Sequence, residues 1–415
     1  MAVIKPFCGL RPAPELAVKV ASLPYDVMDS EEARLITSQN PYSFLRVTKS
    51  EVDLDRAVDI HSEAVYQQAA QNLQRFIKEG ILKQDEKPCF YIYKQRMGEH
   101  IQIGLVAGAS VAEYQTNIIK RHELTRHDKE HDRVNHITVT EAQTGAVFLT
   151  YKADPLINTL IAKCMEQPPV YDFTSEDGIS HTLYVVSDAA EIAAIEQAFS
   201  KIPVMYIADG HHRSAAASRV CDNWRKINDS PQEEFNRFLA VIFPHDMMYI
   251  MDYNRVVADL NGLSCVEFLA AVKHKFTVEE YTDGAYKPQR THEFGMYLQG
   301  KWYKLTAHAE LIDANNPVKS LDVSILQENL LQPLLAIRDP RSDKRIHFVG
   351  GIRGTGELER LVDSGNFAVA FSLFATSIEE LMAIADAGQI MPPKSTWFEP
   401  KLRDAMVIHV TPKPK

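Results

Sequence analysis

The segment PVMYIADGHHRSAAASR, residues 203–219, constrains this chain more than any other. Its apolar run reads as a buried strand, Gly210 permits a tight turn, and the alanine-rich stretch that follows reads as a helix. A strand that turns directly into a helix commits its surroundings to an α/β layer. The neighbouring segments agree: TLYVVSD, a helix over 189–200, VMYIAD, a helix over 214–227 and FLAVIF predict a β-α-β-α-β alternation. The expected fold class is mixed α/β, and open sheets of that class collect ligands at such strand-to-helix junctions.

The chemistry of the turn points to an anion. A helix start aims free N–H groups and the positive end of its dipole at whatever sits before it. His211, His212 and Arg213 add side-chain donors, and a guanidinium can grip phosphate oxygens in a fork. Asp209 is the one acid, so its expected role is to hold a magnesium ion or to accept a proton from a substrate. The competing reading is an ordinary Asp-Gly turn before a solvated helix start.

A chain of 415 residues exceeds one small core, and two or three subdomains are expected. The provisional division is 1–110 as an N-terminal α/β region, 111–250 as the phosphate-binding core, and 251–415 as a C-terminal α/β region. With 45 basic against 55 acidic residues the formal charge is −10, which argues against a surface built for nucleic acid and leaves room for a local basic pocket. Five scattered cysteines without a C-x-x-C pair suggest reduced thiols, and no apolar run reaches membrane-spanning length. The expected setting is the cytoplasm, with small molecules as partners, no nucleic acid, no membrane, and a homo-oligomer left open.

Local signals mark other elements. Asp29 with Glu32 forms a capping box, and that helix stops before Asn40-Pro41. A longer helical pattern over 55–79 ends at Gly80, a hairpin turns about Gly98, and GMYLQGKWYKLTA reads as a second hairpin. Thr376 and Ser377 open a helix that Gly388 ends. The GGIRGTGE run at 350–357 matches no phosphate-loop pattern and is expected to be a flexible loop.

Residues 118–140 turn abruptly charged. Arg121, His122, Glu123, Arg126, Lys129, Asp132 and Arg133 could form a phosphate clamp with an embedded carboxylate, or a solvated helix with ion pairs such as Arg126 with Glu130. His122, His127, His131 and His136 invite a zinc reading, but no H-E-x-x-H is present and the cationic neighbours oppose a metal. Farther on, Arg341 and Lys344 lie in charged turns that could supply further phosphate or carboxylate contacts to a substrate, or simply form a charged surface. Lys394 and Thr396 could present donors to a small substrate, or belong to a packed tail that includes Trp397.

Several strings taken together resemble a bacterial and protist family long labelled only as a domain of unknown function. They are LPYDV, NPYSFLRV, RHELTRHDKEHDR, YIADGHHRSAAA, DPRSDKRIHFVGG and MPPKSTWFEPKL, running in order from about residue 23 to 402. The DGHHR turn in addition resembles that of the archaeal free-serine kinases of the ParB/sulfiredoxin-like superfamily. That resemblance implies a ParB/sulfiredoxin-like nucleotide-binding core with added N- and C-terminal α/β elements. It also implies phosphoryl transfer from ATP, ADP or pyrophosphate to free L-serine with Mg2+. By motif, Glu123 is the expected base and Asp209 positions the hydroxyl or the metal. Gly210, His211, His212 and Arg213 would cradle the donor phosphates, with Lys129 and Arg133 nearby. The His-rich character of the charged segment, at His127 and His131, departs from the family pattern. Two other classes compete: a ParB-like nucleotide-binding regulator without kinase activity, and a metal-dependent hydrolase built on the histidines.

Overall fold

A computed structural model describes residues 2–414. The chain folds as two compact units, one comprising the residues up to Met248 together with those from Pro400 onward, the other Tyr249–Glu399. The division expected at 110/111 falls inside the first unit, because the strands on either side of it share one sheet. The last residues return to the first unit, where Ile408–Val410 pairs with both Gly9–Pro12 and Ala142–Gln143.

The large sheet of the first unit contains β1 (Ile4–Lys5), β2 (Phe90–Met97), β3 (His100–Ser110), β4 (Ile119–Lys120), β5 (Val147–Tyr151), β6 (Tyr171–Thr174), β7 (Ser180–Val186), β8 (Met205–Asp209) and β9 (Arg237–Pro244). Their order is β4-β8-β5-β9-β3-β2-β7-β6, with β1 beside the end of β3. Only β4 with β8 and β5 with β9 run parallel. The alternation predicted over 180–243 is present, yet β7, β8 and β9 are not neighbours. Periodicity identifies strands but does not say which edge each one pairs with. Here β5 enters between β8 and β9, and the β2–β3 hairpin separates β9 from β7.

The helices follow their local signals. α1 (Ser30–Gln39) carries the full Asp29/Glu32 capping box. α2 (Glu63–Lys78) starts later than its pattern suggested and ends before Gly80, which takes a left-handed φ of 71°. α3 (His127–Thr140), α4 (Pro155–Cys164), α5 (Ala189–Phe199) and α6 (His211–Arg225) complete the set used below. α6 starts three residues before its predicted onset, so His211 belongs to its first turn. The core joins Leu149, Ile207 and Ile242 of the sheet with Phe199 and Trp224 of the helices, all nearly inaccessible. All five cysteines are free, and burial raises the thiols of Cys89, Cys164 and Cys221 to about 11.

The second unit is an antiparallel sheet of β10 (Tyr253–Val257), β11 (Phe276–Tyr281), β12 (Glu293–Leu298), β13 (Lys301–Ala307), β14 (Ile346–Gly350) and β15 (Val369–Leu373), ordered β11-β13-β12-β15-β10-β14. β12 and β13 are the expected second hairpin. The glycine-rich 350–357 run is ordered, contrary to the loop expectation. It forms a 3-10 turn and then opens α7 (Gly354–Asp363). α8 (Ile378–Asp386) has the Ser377/Glu380 capping box and ends before Gly388 at φ 65°. Among the described residues no helix is long and apolar enough to cross a membrane.

Close packing at the centre of the large sheet requires a glycine. A Cβ on Gly104 of β3 would lie 2.7 Å from both Phe243 Cζ and Val241 Cγ1. Gly104→Ala is therefore expected to cost about 1–3 kcal/mol through overpacking, read as a lower urea midpoint at an unchanged slope. An unaltered midpoint would show that these side chains yield freely.

Candidate functional site

β4 and β8 run parallel, with Ile119 opposite Met205 and Lys120 opposite Tyr206. Parallel neighbours release their following loops at the same end of the sheet. His122-Glu123, after β4, therefore meets Asp209-Gly210, after β8. The turn needs glycine, since Gly210 takes φ 97° as it enters α6.

Two imidazoles form the centre of the site. His122 and His211 approach to 3.3 Å between their Nε2 atoms, with ring planes 88° apart. They are only 2% and 5% exposed. Burial disfavours the imidazolium, which lowers His122 to about 4 and, helped by the adjoining His122 ring, holds His211 well below its ordinary value. Both rings are thus neutral near pH 7, and His211 Nδ1 has no hydrogen-bond partner. Glu123 is half-buried, and ligand atoms of His122, Glu123 and His211 all lie within 4.8 Å of one another. His212 Nε2 accepts the Arg126 backbone N–H at 3.0 Å, which ties the β4 loop to the start of α6.

Asp209 sits between two cations, with Lys401 Nζ at 3.2 Å and Arg213 at 3.6 Å. Burial alone would raise this carboxyl, but Lys401 and Arg213 hold it well below the usual carboxylate range. Asp209 does not fit as a magnesium ligand, because its charge is already offset and two cations would stand beside the ion. Arg213 does not provide the expected open fork either. Its side chain is 11% exposed and donates to the Ala146 carbonyl, so it braces the turn.

The charged segment separates into three fates. Arg126 pairs with Asp128 rather than Glu130, whose carboxylate instead accepts from Arg219 of α6 and from Thr125. Lys129 is exposed on the first turn of α3. Asp132 and Arg133 are internal: Arg133 forks onto Asp132 Oδ2 at 2.8 and 2.6 Å, and Asp132 also accepts from Tyr66 and meets His61 Nδ1 at 3.0 Å. That network joins α3 to α2. The four-histidine cluster does not assemble. His127 and His131 stack on an exposed face, His136 bonds the Val47 carbonyl, and only His122 reaches the turn.

Arg341, Lys344, Lys394 and Thr396 belong to the second unit. Arg341 is paired with Asp339 at 3.0 Å, and Lys344 is exposed. Lys394 has φ 58° and an ammonium 5.7 Å from the centre of the Tyr253 ring, while Thr396 is half-buried. Trp397 packs against Tyr253 and Gly350, as the packed-tail reading expected.

Tyr25, Asp26, Lys401 and Asp404 are the residues that sequence reasoning missed. Arg133 lies 3.9 Å from the centre of the Tyr25 ring, and Arg213 interacts electrostatically with Asp26, Tyr25 and Asp404. LPYDV carries Tyr25 and Asp26 and MPPKSTWFEPKL carries Lys401, but nothing in either string says that it meets residue 209 or 213.

The family model described as "Protein of unknown function (DUF1015)" matches residues 4–324. The chain belongs to this family. No curated protein matches. Solved structures similar to the chain include a conserved hypothetical protein from Pyrococcus furiosus, at 16% identity and a TM-score of 0.34, covering 69% of this chain and 90% of that one. A free serine kinase in complex with AMP is similar at 15% identity and a TM-score of 0.34, covering 70% and 88%. SbnI with a C-terminal truncation from Staphylococcus aureus is similar at 10% identity and a TM-score of 0.36, covering 71% and 82%.

The buried Asp404 gives the site a pH signature. Burial pushes its carboxyl up to about 8, against the opposing pull of Arg213. The folded chain then keeps a proton that the unfolded chain releases at about 4, so stability falls as pH rises from there through 8. Asn imitates the protonated acid without titrating. Asp404→Asn should therefore gain on the parent between pH 5 and pH 8, by at most about 1.4 kcal/mol per pH unit. Denaturant titrations at both pH values test this, and an equal gap at the two would overturn it.

Proposed function

We propose that the paired loops, His122-Glu123 and Asp209 to Arg213, form the site of a small-molecule kinase of ParB/sulfiredoxin-like type. It transfers a phosphoryl group from ATP, ADP or pyrophosphate to the hydroxyl of free L-serine, giving O-phospho-L-serine. One observation carries the reading: a half-buried carboxylate, Glu123, has an oxygen within 4.8 Å of ring nitrogens of His122 and His211, and His211 opens a 15-residue helix whose preceding Asp209 is held ionised by Lys401 and Arg213.

Each part has a role in phosphoryl transfer, which asks of a protein mainly positioning and electrostatic stabilisation. The donor phosphates lie against the first-turn N–H groups of α6. His211, as a neutral ring, and His212 donate to phosphate oxygens. Asp209 fixes Lys401 and Arg213, whose positive charge offsets what develops on the transferred group. Glu123 takes the serine hydroxyl proton as the oxygen–phosphorus bond forms and the bond to the leaving phosphate oxygen breaks. No step runs through a metal on Asp209; magnesium belongs with the donor's own phosphates.

Incubation of the purified chain with L-serine and each donor in turn is expected to yield O-phosphoserine, and absence of product with all three would sink the serine kinase. Glu123→Gln should lower turnover by about 10²–10⁴-fold while donor affinity stays within a few-fold of the parent. A matching loss of donor binding would instead make Glu123 a binding residue.

A second reading is favoured by the spacing of the His122 and His211 nitrogens. Their 3.3 Å separation equals that of two ligands each about 2.0–2.1 Å from a tetrahedral zinc ion, and Glu123 supplies a third ligand atom close by. On that reading the pocket serves a metal-dependent hydrolase. Elemental analysis decides it: one zinc per chain supports the reading, and zinc-free protein that takes up none on addition removes it.

A further inference from the structure

The second unit buries a positive charge with no negative partner. Arg255, in the middle of β10, is 4% exposed. Its guanidinium donates to two backbone carbonyls, those of Tyr253 and, at 2.9 Å, Lys394, and it lies 5.6 Å from the centre of the Phe348 ring. Among the described residues no carboxylate reaches it, and burial lowers it to about 10. A buried cation without a counter-charge costs several kcal/mol. Carbonyl dipoles and an aromatic face offset part of that cost. They also leave N–H donors of the fork unused, since a guanidinium carries five.

Arg255 lines a cavity of about 250 Å3. Arg338 and Arg341 line the same cavity, against a single carboxylate, Asp339, which is already paired with Arg341. Three guanidinium groups thus face one acid. Arg338 is exposed and makes no ion pair among the described residues, which places a second uncompensated cation on the cavity wall. The remaining wall is apolar apart from Gln327, and includes Phe348, Pro392 and Pro393. Gln327 and Leu331, the ends of a π-helical turn, line it too. Turns of this kind are rare and concentrate at functional sites.

This combination is unlike a folding device. A hydrophobic residue of similar volume at 255 would fill the core without the desolvation cost. Cationic groups on an otherwise apolar, concave wall are what an organic anion requires, with the fork to orient it and the apolar surface to cover its body. The volume limits that body to about the size of one small ring.

We propose that this cavity binds a small organic oxyanion, a carboxylate or phosphate monoester on an apolar body, with Arg255 as its buried counter-charge and Arg338 as the second cation. The site lies wholly within Tyr249–Glu399 and is independent of the kinase reading.

Calorimetric titration of the full chain with phenyl phosphate, with benzoate and with phenol tests it. Saturable binding of at least one anion and none of phenol is expected, and the preferred anion distinguishes phosphate from carboxylate ligands. Arg255→Met should weaken that binding on the order of a hundredfold, and the exposed pair Arg338→Ala with Arg341→Ala about tenfold or more. His212→Ala, in the other unit, should leave it within twofold, which separates this cavity from the loop site. If Arg255→Met fails to fold, the Arg338/Arg341 variant decides alone. Absence of anion binding, or unchanged affinity in the arginine variants, overturns the proposal.

Discussion

Two residue pairs hold the candidate site together. Ile119 and Lys120 add a short parallel edge strand to Met205 and Tyr206, and this pairing brings the loop carrying His122 and Glu123 to the turn carrying Asp209 and Gly210. The strand is short, so other contacts secure the approach. His122 meets His211, and the Arg126 N–H is held by His212. The site is stitched from the same groups that would act in it, so that its histidines also serve structure.

Electrostatics in the site follow from desolvation. Neutral imidazoles result where burial is nearly complete, while Asp209 stays ionised because Lys401 and Arg213 flank it. The cations expected to meet a ligand are partly occupied in keeping this acid charged. Arg133 is drawn further inside, against Asp132 and the Tyr25 ring. A cluster of like-looking charges in one stretch of chain therefore splits into a buried brace, a surface patch and two residues at the turn. Helical geometry explains the split. His127 and His131, one turn apart, share an exposed face, whereas Asp132 and His136 fall on the face that packs against the preceding helices.

The second unit presents a different electrostatic problem. Its sheet buries Arg255 without an acid, whereas Glu293 of the same sheet is buried with Lys304, Arg290 and Tyr286 around it. Compensated buried acids such as Glu293 thus stand in the same unit as an uncompensated buried guanidinium. The uncompensated one lines a cavity.

The sequence by itself determined local matters: the strand-turn-helix at 205–225, both hairpins, the capped helices, the family, and Glu123 with residues 209–213 as candidates. Each rests on contacts between residues close in the chain, where turn chemistry, capping and side-chain period act directly. Only the tertiary structure decided which strands are neighbours, which histidine meets which, and that Lys401 and Asp404 come back to the turn after more than 150 intervening residues in another unit. The physical reason is that strand pairing and ion pairing depend on proximity in space. A lysine near the end of the chain has the same composition, charge and propensity whether it points into water or lies 3.2 Å from Asp209.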